Sequence, residues 1–275
     1  MIGTWRAVRL ALMLCALLLA AYWGRRWVNH ARYEMAPVVI PVSAEDGSLL
    51  RPTVSAYLRR LGRDVHDALV PPARRRYAVL TFDDGPYPVT TPALLAELHR
   101  LGVPADFFFI GRNAIEQPAI AARAAAAGME IGNHTLSHPQ MTSLVFAAQL
   151  EEIADGASTL RRITGREVRL FRPPHGNYDA ATLEAAHAAG QTFALWDVEP
   201  GDWRPVTSTF VANFVVTHAK SPAVILLHDG TEPTIEALPR IVAAYRAAGY
   251  EFVTLSELMK RLPLDDINDP LNVTI

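Results

Sequence analysis

Two adjacent carboxylates stand at the end of a short β-type segment. Residues Tyr77–Phe82 are followed by Asp83 and Asp84, and Gly85-Pro86 then breaks the segment. Side chains alternate between the faces of a strand, but at a strand end that enters a turn both acids can reach one pocket. Two like charges placed together cost free energy unless a cation or a shared proton compensates. The pair therefore indicates a metal site or a shared proton, with a plain surface turn as the alternative.

Two histidines four residues apart form the second candidate group. His134 and His138 lie in the segment Asn133–Pro139, and on a helical turn they would project to the same side and bind one cation. Two imidazoles and one carboxylate leave coordination positions open, which is typical of a catalytic metal. Zinc is the default metal for these ligands, and cobalt or nickel is compatible. Two ordinary surface histidines are the alternative interpretation.

Short strand-like segments alternate with helical segments from residue 77 onwards. This alternation predicts an α/β fold with a parallel sheet, and seven units predict a distorted (β/α)7-type barrel, closed or nearly closed. The predicted helices include Thr91–Leu101, Ala114–Ala127, Thr142–Ile163 and Ala180–Ala189. The predicted strands are Tyr77–Phe82, Ala105–Ile110, Met129–Asn133, Arg169–Arg172, Thr192–Trp196, Ala223–His228 and Glu251–Leu255.

Polar residues follow the ends of most of these strands. Asp83 and Asp84 follow the first, His134 the third, Arg172 the fourth and His228 the sixth, while residues 197–203 follow the fifth. Barrel enzymes carry their catalytic groups at the carboxyl ends of the strands. We therefore expect these side chains to meet on one rim and to form an active site.

With these motifs the chain resembles the polysaccharide deacetylase family, also called the NodB-homology domain or carbohydrate esterase family 4. The segments T-F-D-D-G-P, H-T-x-S-H-P, F-R-P-P-x-G, D-W and L-L-H occur in family order. The resemblance covers the predicted catalytic domain, residues 76–262. It implies a hydrolase that removes acetyl groups from a glycan with the help of a divalent metal.

The resemblance also implies roles for single residues. Asp83 matches the general base, and Asp84 matches the metal carboxylate that acts beside His134 and His138. Arg172 matches the arginine that pairs with the base and orients it, so we expect it to keep Asp83 ionised.

A second group of roles concerns the departing amine and the acetyl group. His228 matches the general acid, and Asp202 matches the acid that holds it, so Asp202 should raise the pKa of His228. Trp203 and Leu226 match the walls of the pocket that receives the acetyl methyl group. His175 stands where the family usually has tyrosine, and its backbone N–H matches a donor of the oxyanion hole.

Composition excludes several other classes of function. The formal net charge is −2 and the basic residues are scattered, which argues against nucleic-acid binding. The one cysteine, Cys15, lies in an apolar segment, so no disulfide framework or thiolate site is expected. We expect a monomer whose partners are a glycan substrate and, through the N-terminus, a membrane.

The N-terminal segment predicts delivery to the cell envelope. Residues 1–33 contain the apolar segment Leu10–Trp23 between arginines, which indicates an uncleaved single-pass anchor or a cleaved signal peptide. Residues 34–75 are predicted to form a stalk with one amphipathic helix, and residues 263–275 a C-terminal tail. The body would then face the periplasm or the outside, or be secreted if the N-terminus is cleaved.

The sequence thus predicts a carbohydrate N-deacetylase that acts on amino sugars of an envelope or extracellular glycan. One alternative is an O-acetyl esterase on a polysaccharide, because the same groups cleave esters. The other is a non-catalytic glycan-binding protein that retains the fold. The sequence leaves the glycan open among peptidoglycan, chitin-like oligomers, an exopolysaccharide and a lipid-linked sugar.

Overall fold

Strands and helices alternate along residues 75–261, which are the residues described in the computed structural model. Seven strands and eight α-helices occur in this part of the chain, and short 3₁₀ turns add to them. The order is β1 (Arg76–Asp84), α1 (Thr90–Leu101), β2 (Asp106–Phe109), α2 (Gly111–Glu116), α3 (Pro118–Ala126), β3 (Glu130–Asn133), α4 (Phe146–Thr164), β4 (Leu170–Phe171), α5 (Ala180–Ala188), β5 (Thr192–Phe193), α6 (Ser208–Thr217), β6 (Ala223–His228), α7 (Glu232–Ala247), β7 (Tyr250–Phe252) and α8 (Leu255–Arg261).

All seven strands belong to one parallel sheet with the order β5-β4-β3-β2-β1-β6, and β7 pairs with the start of β1. The predicted α/β class and parallel sheet are confirmed. The sheet is a curled half-barrel and not the predicted closed or nearly closed (β/α)7-type barrel, because β5 and β6 do not pair along their lengths. One isolated bridge between Val198 and Ile225 links the segment after β5 to β6.

Strand β1 lies between β2 and β6 in the sheet and is buried on both faces. It pairs with β6 from Ala78 to Asp83 and with β2 from Thr81 to Asp84. A continuous apolar run suits a strand that is covered on both sides, which explains why Tyr77–Phe82 lacks polar alternation. Because β1 is parallel to β2 and β6, the carboxyl ends of all three strands meet at one rim.

Two predicted helices differ from the observed ones. The predicted helix Ala114–Ala127 is divided into α2 and α3, because Pro118 has no N–H and disfavours helical geometry at Gln117. Gln117 has φ −126° and ψ 54°. The predicted helix Thr142–Ile163 begins later, at Phe146, after a 3₁₀ turn over Met141–Ser143.

The predictions for residues 1–74 and 262–275 lie outside the described residues. They concern the anchor or signal segment, the stalk helix and the C-terminal tail. Within residues 75–261, no helix has both the length and the apolar character needed to cross a membrane.

Candidate active site

Asp83 and Asp84 end β1, and both carboxylates approach the same imidazole. His134 Nε2 lies 3.7 Å from Asp83 Oδ2 and 3.6 Å from Asp84 Oδ1. Asp84 has a φ of 79°, in the left-handed region that aspartate tolerates better than bulky residues. This conformation breaks the strand alternation, so the expected convergence of the two acids is observed. Asn113 Nδ2 holds the turn by donating to the Asp84 carbonyl at 2.8 Å.

Asp84, His134 and His138 form a set of three possible metal ligands. Their nearest ligand atoms all lie within 4.8 Å of one another. The distances from Asp84 Oδ1 to the two Nε2 atoms, 3.6 and 3.4 Å, exceed those of ordinary hydrogen bonds. They match the roughly 3.4 Å between ligand atoms that each lie about 2.0–2.1 Å from one tetrahedral zinc ion. The donor set therefore fits a divalent metal.

His134 is held in the tautomer that a metal ligand requires. Its Nδ1 lies 2.8 Å from the backbone carbonyl oxygen of Arg172, so Nδ1–H donates and the Nε2 lone pair faces the carboxylates. Burial lowers the pKa of His134 to about 3, against the opposing effect of Asp84. The ring is therefore neutral at physiological pH, as metal binding demands.

His138 reaches the site from an irregular loop, so the predicted helical turn is wrong. Thr135 and His138 have φ values of 68° and 60°, and the Thr135 hydroxyl accepts a hydrogen bond from the His138 N–H at 2.9 Å. Pro139 disfavours the right-handed helical region for the preceding residue, which explains the departure. Glu152 holds the loop from α4, accepting from the Ser137 N–H at 2.8 Å. The two imidazoles nevertheless converge.

Arg172 is fully buried and bound on several sides. Its Nη1 lies 2.7 Å from Asp83 Oδ1 and donates to Thr81 Oγ1 at 2.8 Å. Nε and Nη2 donate to the carbonyls of Ala194 and Leu195, each at 3.1 Å. The guanidinium is thus fixed in one geometry, and it fixes the carboxylate of Asp83 in turn.

Burial, rather than Arg172, has the largest effect on the pKa of Asp83. Burial raises the pKa of Asp83 above its usual range, and the charge of Arg172 opposes this rise without cancelling it. A carboxylate with a raised pKa binds a proton more strongly. Burial therefore increases the basicity of the Asp83 carboxylate, while Arg172 orients this carboxylate and limits the rise of its pKa.

His228 and Asp202 form the second paired unit on the rim. His228 Nδ1 lies 2.8 Å from Asp202 Oδ1, and the His228 backbone N–H donates to Asp202 Oδ2 at 2.8 Å. Thr234 Oγ1 also donates to Asp202 Oδ2. With Nδ1 bound to the buried carboxylate, Nε2 is the ring nitrogen left for proton transfer.

Asp202 makes the largest contribution to raising the pKa of His228. Burial lowers this pKa, but the hydrogen bond and the negative charge of Asp202, together with the charges of Asp83 and Asp84, outweigh burial, so the pKa of His228 is raised above its usual value. The expected direction of the shift is confirmed. His228 is accordingly protonated over a wider pH range than an isolated histidine.

A cleft of about 350 Å³ opens beside these groups. Trp203, Asp84 and His228 line it, together with residues 87–90 and 229–231. Trp203 is 61% exposed, whereas Leu226 is buried in β6 and does not line this cleft. Of the two predicted walls of the acetyl pocket, the structure therefore brings only Trp203 to the cleft.

His175 lies beside the metal-ligand set without belonging to it. Its ring centroid is 4.7 Å from that of His138, in an edge-on arrangement. The residue is exposed and has a φ of 60° within the 3₁₀ turn Pro174–Gly176. Its imidazole is outside the group of close ligand atoms.

Sequence reasoning missed Asp229, which follows His228 directly. Asp229 is 3% exposed, and its Oδ1 atom has no hydrogen-bond partner within residues 75–261. Burial raises the pKa of Asp229 to about 6. The available signal was its position at the carboxyl end of β6, the same criterion that selected the other site residues.

Comparisons with known proteins find relatives of this chain among polysaccharide deacetylases. The family model described as polysaccharide deacetylase matches residues 71–194. A peptidoglycan-N-acetylglucosamine deacetylase of Bacillus cereus is 35% identical over 194 residues, covering 69% of this chain and 91% of that protein. A chitooligosaccharide deacetylase of Azorhizobium caulinodans is 34% identical, covering 62% of this chain and 89% of that protein.

One relative, from Bacillus subtilis, is similar both in sequence and in its solved structure. The peptidoglycan-N-acetylmuramic acid deacetylase PdaC of Bacillus subtilis is 33% identical over 184 residues, covering 67% of this chain but only 39% of that protein. A solved structure of PdaC superposes with a TM-score of 0.64, covering 70% of this chain and 93% of the solved chain. This chain therefore spans less than half the length of that larger relative.

Proposed function

This chain belongs to the polysaccharide deacetylase family and is a carbohydrate N-deacetylase, and we propose that it removes N-acetyl groups from amino sugars of a cell-envelope glycan in a metal-dependent reaction. The names of its relatives, which include peptidoglycan and chitooligosaccharide deacetylases, support the substrate class. The donor set of Asp84, His134 and His138 supports the metal dependence.

These three residues would hold a divalent cation, with zinc as the first choice and cobalt or nickel as substitutes. When bound, such a cation supplies Lewis-acid polarisation and charge stabilisation for acyl transfer. The neutral state of His134 and the position of the two Nε2 atoms around Asp84 Oδ1 suit this role.

Asp83 acts as the general base. It takes a proton from the water that attacks the acetyl carbon, and its raised pKa favours that transfer. Arg172 keeps the carboxylate directed by a 2.7 Å charged contact and contributes positive charge that limits how far the pKa rises. A backbone N–H at His175 is proposed to donate to the developing oxyanion, a role that the change from tyrosine leaves intact.

His228 acts as the general acid. The carbon–nitrogen bond breaks as His228 transfers a proton to the sugar nitrogen, so acetate and a free amino sugar leave the site. An unprotonated amine is too basic to depart, which is why this step needs an acid. Asp202 favours the imidazolium and sets the ring orientation through the Nδ1 contact.

One observation carries the proposal. An Asp83–Arg172 pair and an Asp202–His228 pair stand on the same rim as the ligand set, an arrangement that supports a base in the first pair and an acid in the second. Acyl transfer to water with an amine leaving group needs these two proton-transfer groups.

The test is acetate release from an N-acetylglucosamine oligomer and from purified peptidoglycan. Protein treated with a chelator should release no acetate, and added Zn²⁺ should restore release. Mass spectrometry should register a loss of one acetyl group per modified sugar. Absence of release from every N-acetylated glycan tested, with each of Zn²⁺, Co²⁺ and Ni²⁺, would contradict the proposal.

The alternative activities give different outcomes in the same assay. An O-acetyl esterase would release acetate from acetylated xylan and leave the N-acetylglucosamine oligomer unchanged. A non-catalytic glycan-binding protein would bind the oligomer and release nothing. The complete sets of ligands and of paired acids and bases favour the enzyme over the binding protein.

We also propose a location in the cell envelope, with the catalytic domain outside the cytoplasm. The proposal rests on the apolar segment Leu10–Trp23 and on the peptidoglycan named for two relatives. Fractionation of cells tests it: the protein should be found in membrane or secreted material. Recovery entirely in the soluble cytosolic fraction would contradict it.

A further inference from the structure

Asp229 connects the strand of the general acid to the strand of the general base. It follows His228 at the end of β6, and its backbone N–H donates to the carbonyl of Asp83 at 2.9 Å. Its side chain is buried and turns towards the segment between β1 and α1, where Oδ2 accepts a hydrogen bond from Thr91 Oγ1. The buried carboxylate thus bridges two elements that each carry part of the active site.

Thr91 extends this bridge along the turn after Asp84. The residue is fully buried near the start of α1, and its Oγ1 also accepts a hydrogen bond from the Tyr87 N–H at 2.6 Å. The three residues form a chain from Asp229 through Thr91 to Tyr87. These hydrogen bonds hold the turn of residues 84–91 in place. The turn carries Asp84, the proposed carboxylate ligand of the metal, and lines one side of the cleft.

Gly85 is the residue that makes room for the Asp229 carboxylate. A Cβ atom at position 85 would overlap Asp229 Oδ2, and it would lie 3.1 Å from an aromatic carbon of Phe109. The φ of Gly85 is outside the left-handed region, so its backbone does not require glycine. The side chain of Asp229 is therefore the physical reason for glycine at position 85 in this structure.

The opposite side of the turn is held from β2 and α2. Ile110 N–H donates to the Gly85 carbonyl at 3.0 Å, and Asn113 Nδ2 donates to the Asp84 carbonyl at 2.8 Å. Hydrogen bonds therefore hold the turn on two sides, and Asp229 accepts the hydrogen bond on the side of the general acid.

From these contacts we propose that Asp229 is a positioning residue, which through Thr91 holds the turn of residues 84–91 so that Asp84 keeps its orientation towards His134 and His138. The inference rests on the proposed function for its kinetic consequence, but the positioning itself concerns the fold. Groups that orient metal ligands from outside the ligand set commonly change metal affinity 10–100-fold when removed.

The first experiment compares Asp229→Ala, Asp229→Asn and Thr91→Val by calorimetric titration of the metal-free protein with Zn²⁺. Asp229→Ala and Thr91→Val should weaken binding about 10-fold or more, because each removes one partner of the hydrogen bond. Asp229→Asn retains an acceptor oxygen for Thr91 and should recover most of the affinity. Thr164→Val, which removes a comparable hydroxyl bond to the Leu160 carbonyl at the end of α4, is the matched control and should leave affinity unchanged.

The same variants should separate positioning from substrate binding in acetate release. Asp229→Ala and Thr91→Val should lower kcat at a given Zn²⁺ concentration and leave KM within about twofold. A merely structural role would lower the melting temperature without changing Zn²⁺ affinity or kcat of the folded protein.

Gly85→Ala provides a reciprocal test of the contact. Alone, this variant should weaken Zn²⁺ binding, since the new Cβ displaces the carboxylate of Asp229. In the double variant Gly85→Ala with Asp229→Ala the overlap with the carboxylate is removed and only the 3.1 Å approach to Phe109 remains, so the loss of affinity should be smaller than the sum of the two single losses. Additive losses in the double variant would overturn the assigned contact.

Hydrogen exchange of the metal-free protein keeps the inference separate from the proposed function. The Tyr87 amide loses its acceptor in Thr91→Val, so peptides covering residues 84–91 should exchange at least 10-fold faster, while Thr164→Val should not change them. Unchanged exchange together with unchanged Zn²⁺ affinity would overturn the inference. If the wild-type protein released no acetate, the proposed function would fail, and the exchange and Zn²⁺-affinity results would still decide the inference.

Discussion

His134 Nδ1 lies 2.8 Å from the backbone carbonyl oxygen of Arg172, the residue whose side chain binds Asp83. Arg172, at the end of β4, therefore contacts both the metal-ligand set and the carboxylate of Asp83. Its main chain fixes the tautomer of His134, a proposed metal ligand, and its side chain fixes Asp83, the proposed general base. Displacing Arg172 would disturb metal binding and proton transfer together.

Replacing the general base should remove most of the activity without unfolding the protein. Asp83→Asn preserves the size of the side chain and an acceptor for Arg172, but it cannot take the proton from water. We expect kcat for acetate release to fall about 10²–10⁴-fold, the usual contribution of a general base. Circular dichroism and Zn²⁺ titration serve as controls and should resemble the wild type. Activity within a factor of three of the wild type would exclude Asp83 as the base.

The Asp202–His228 pair predicts a specific pH dependence. His228 must be protonated to act as an acid, and Asp202 raises its pKa, so activity should persist above the ordinary histidine pKa and fall as pH rises through the folded-state value. In Asp202→Asn this alkaline limb should move to lower pH, with a lower kcat. The measurement is kcat/KM across pH, and an unmoved alkaline limb would contradict the assignment.

The same raised pKa of His228 makes a contribution to stability with a definite sign. The folded-state pKa exceeds the unfolded value of about 6.5, so the contribution is fully present below the unfolded pKa and is lost as pH rises through the folded pKa. Urea unfolding at several pH values should detect this loss in the wild type. It should be smaller in Asp202→Asn, where the shift is reduced.

Loss of one metal ligand should be separable from loss of the base. His138→Ala removes a half-buried imidazole from the ligand set and leaves Asp83, Arg172 and His228 in place. Zn²⁺ affinity should fall by at least 10-fold, and excess Zn²⁺ should restore part of the acetate release. Isothermal titration checks the first expectation. Unaltered Zn²⁺ affinity would show that His138 is not a ligand.

Removing Arg172 should destabilise the fold as well as the reaction. Arg172→Met leaves the buried carboxylate of Asp83 without its charged partner, which for buried pairs costs about 3–5 kcal/mol. Arg172→Lys should not restore the wild type, because lysine cannot make the four directed contacts of the guanidinium. The free energy of unfolding in urea measures the effect, and a loss below about 1 kcal/mol would contradict it.

A glycine in α4 gives a prediction that only the tertiary structure supports. A Cβ atom at Gly156 would overlap Asn133 Oδ1 and lie 2.7 Å from the backbone carbon of Thr135, in the loop that carries His134. We expect Gly156→Ala to destabilise the protein by about 1–3 kcal/mol and to weaken Zn²⁺ binding. Ser158→Ala, at an exposed position of the same helix, is the control and should change neither quantity.

Much of the site could be predicted because its signals are local. A strand end with two acids, a histidine pair and an arginine at another strand end are each visible in a few consecutive residues. The alternation of strands and helices, which predicts parallel strands, allowed them to be assigned to one rim before any distance was known. The family resemblance then implied separate roles for Asp83 and Asp84, which no spacing argument could distinguish.

The backbone around the ligands could not be predicted in the same way. The interval between His134 and His138 suits a helical turn, but Pro139 and the bonds from Glu152 produce an irregular loop instead. The role of Asp229 was also hidden, because its partners Thr91 and Gly85 are about 140 residues away in the sequence. Contacts of that kind depend on which strands become neighbours.

The sequence by itself therefore determined the alternating α/β architecture and the family, and it selected the residues proposed to react, because hydrophobic periodicity and short motifs depend on neighbouring residues. The tertiary structure decided how those groups are oriented and charged. Parallel pairing of β1 with β2 and β6 brings distant strand ends together. Burial at that rim then raises the pKa of Asp83 and lowers that of His134, since desolvation acts only once the chain is folded.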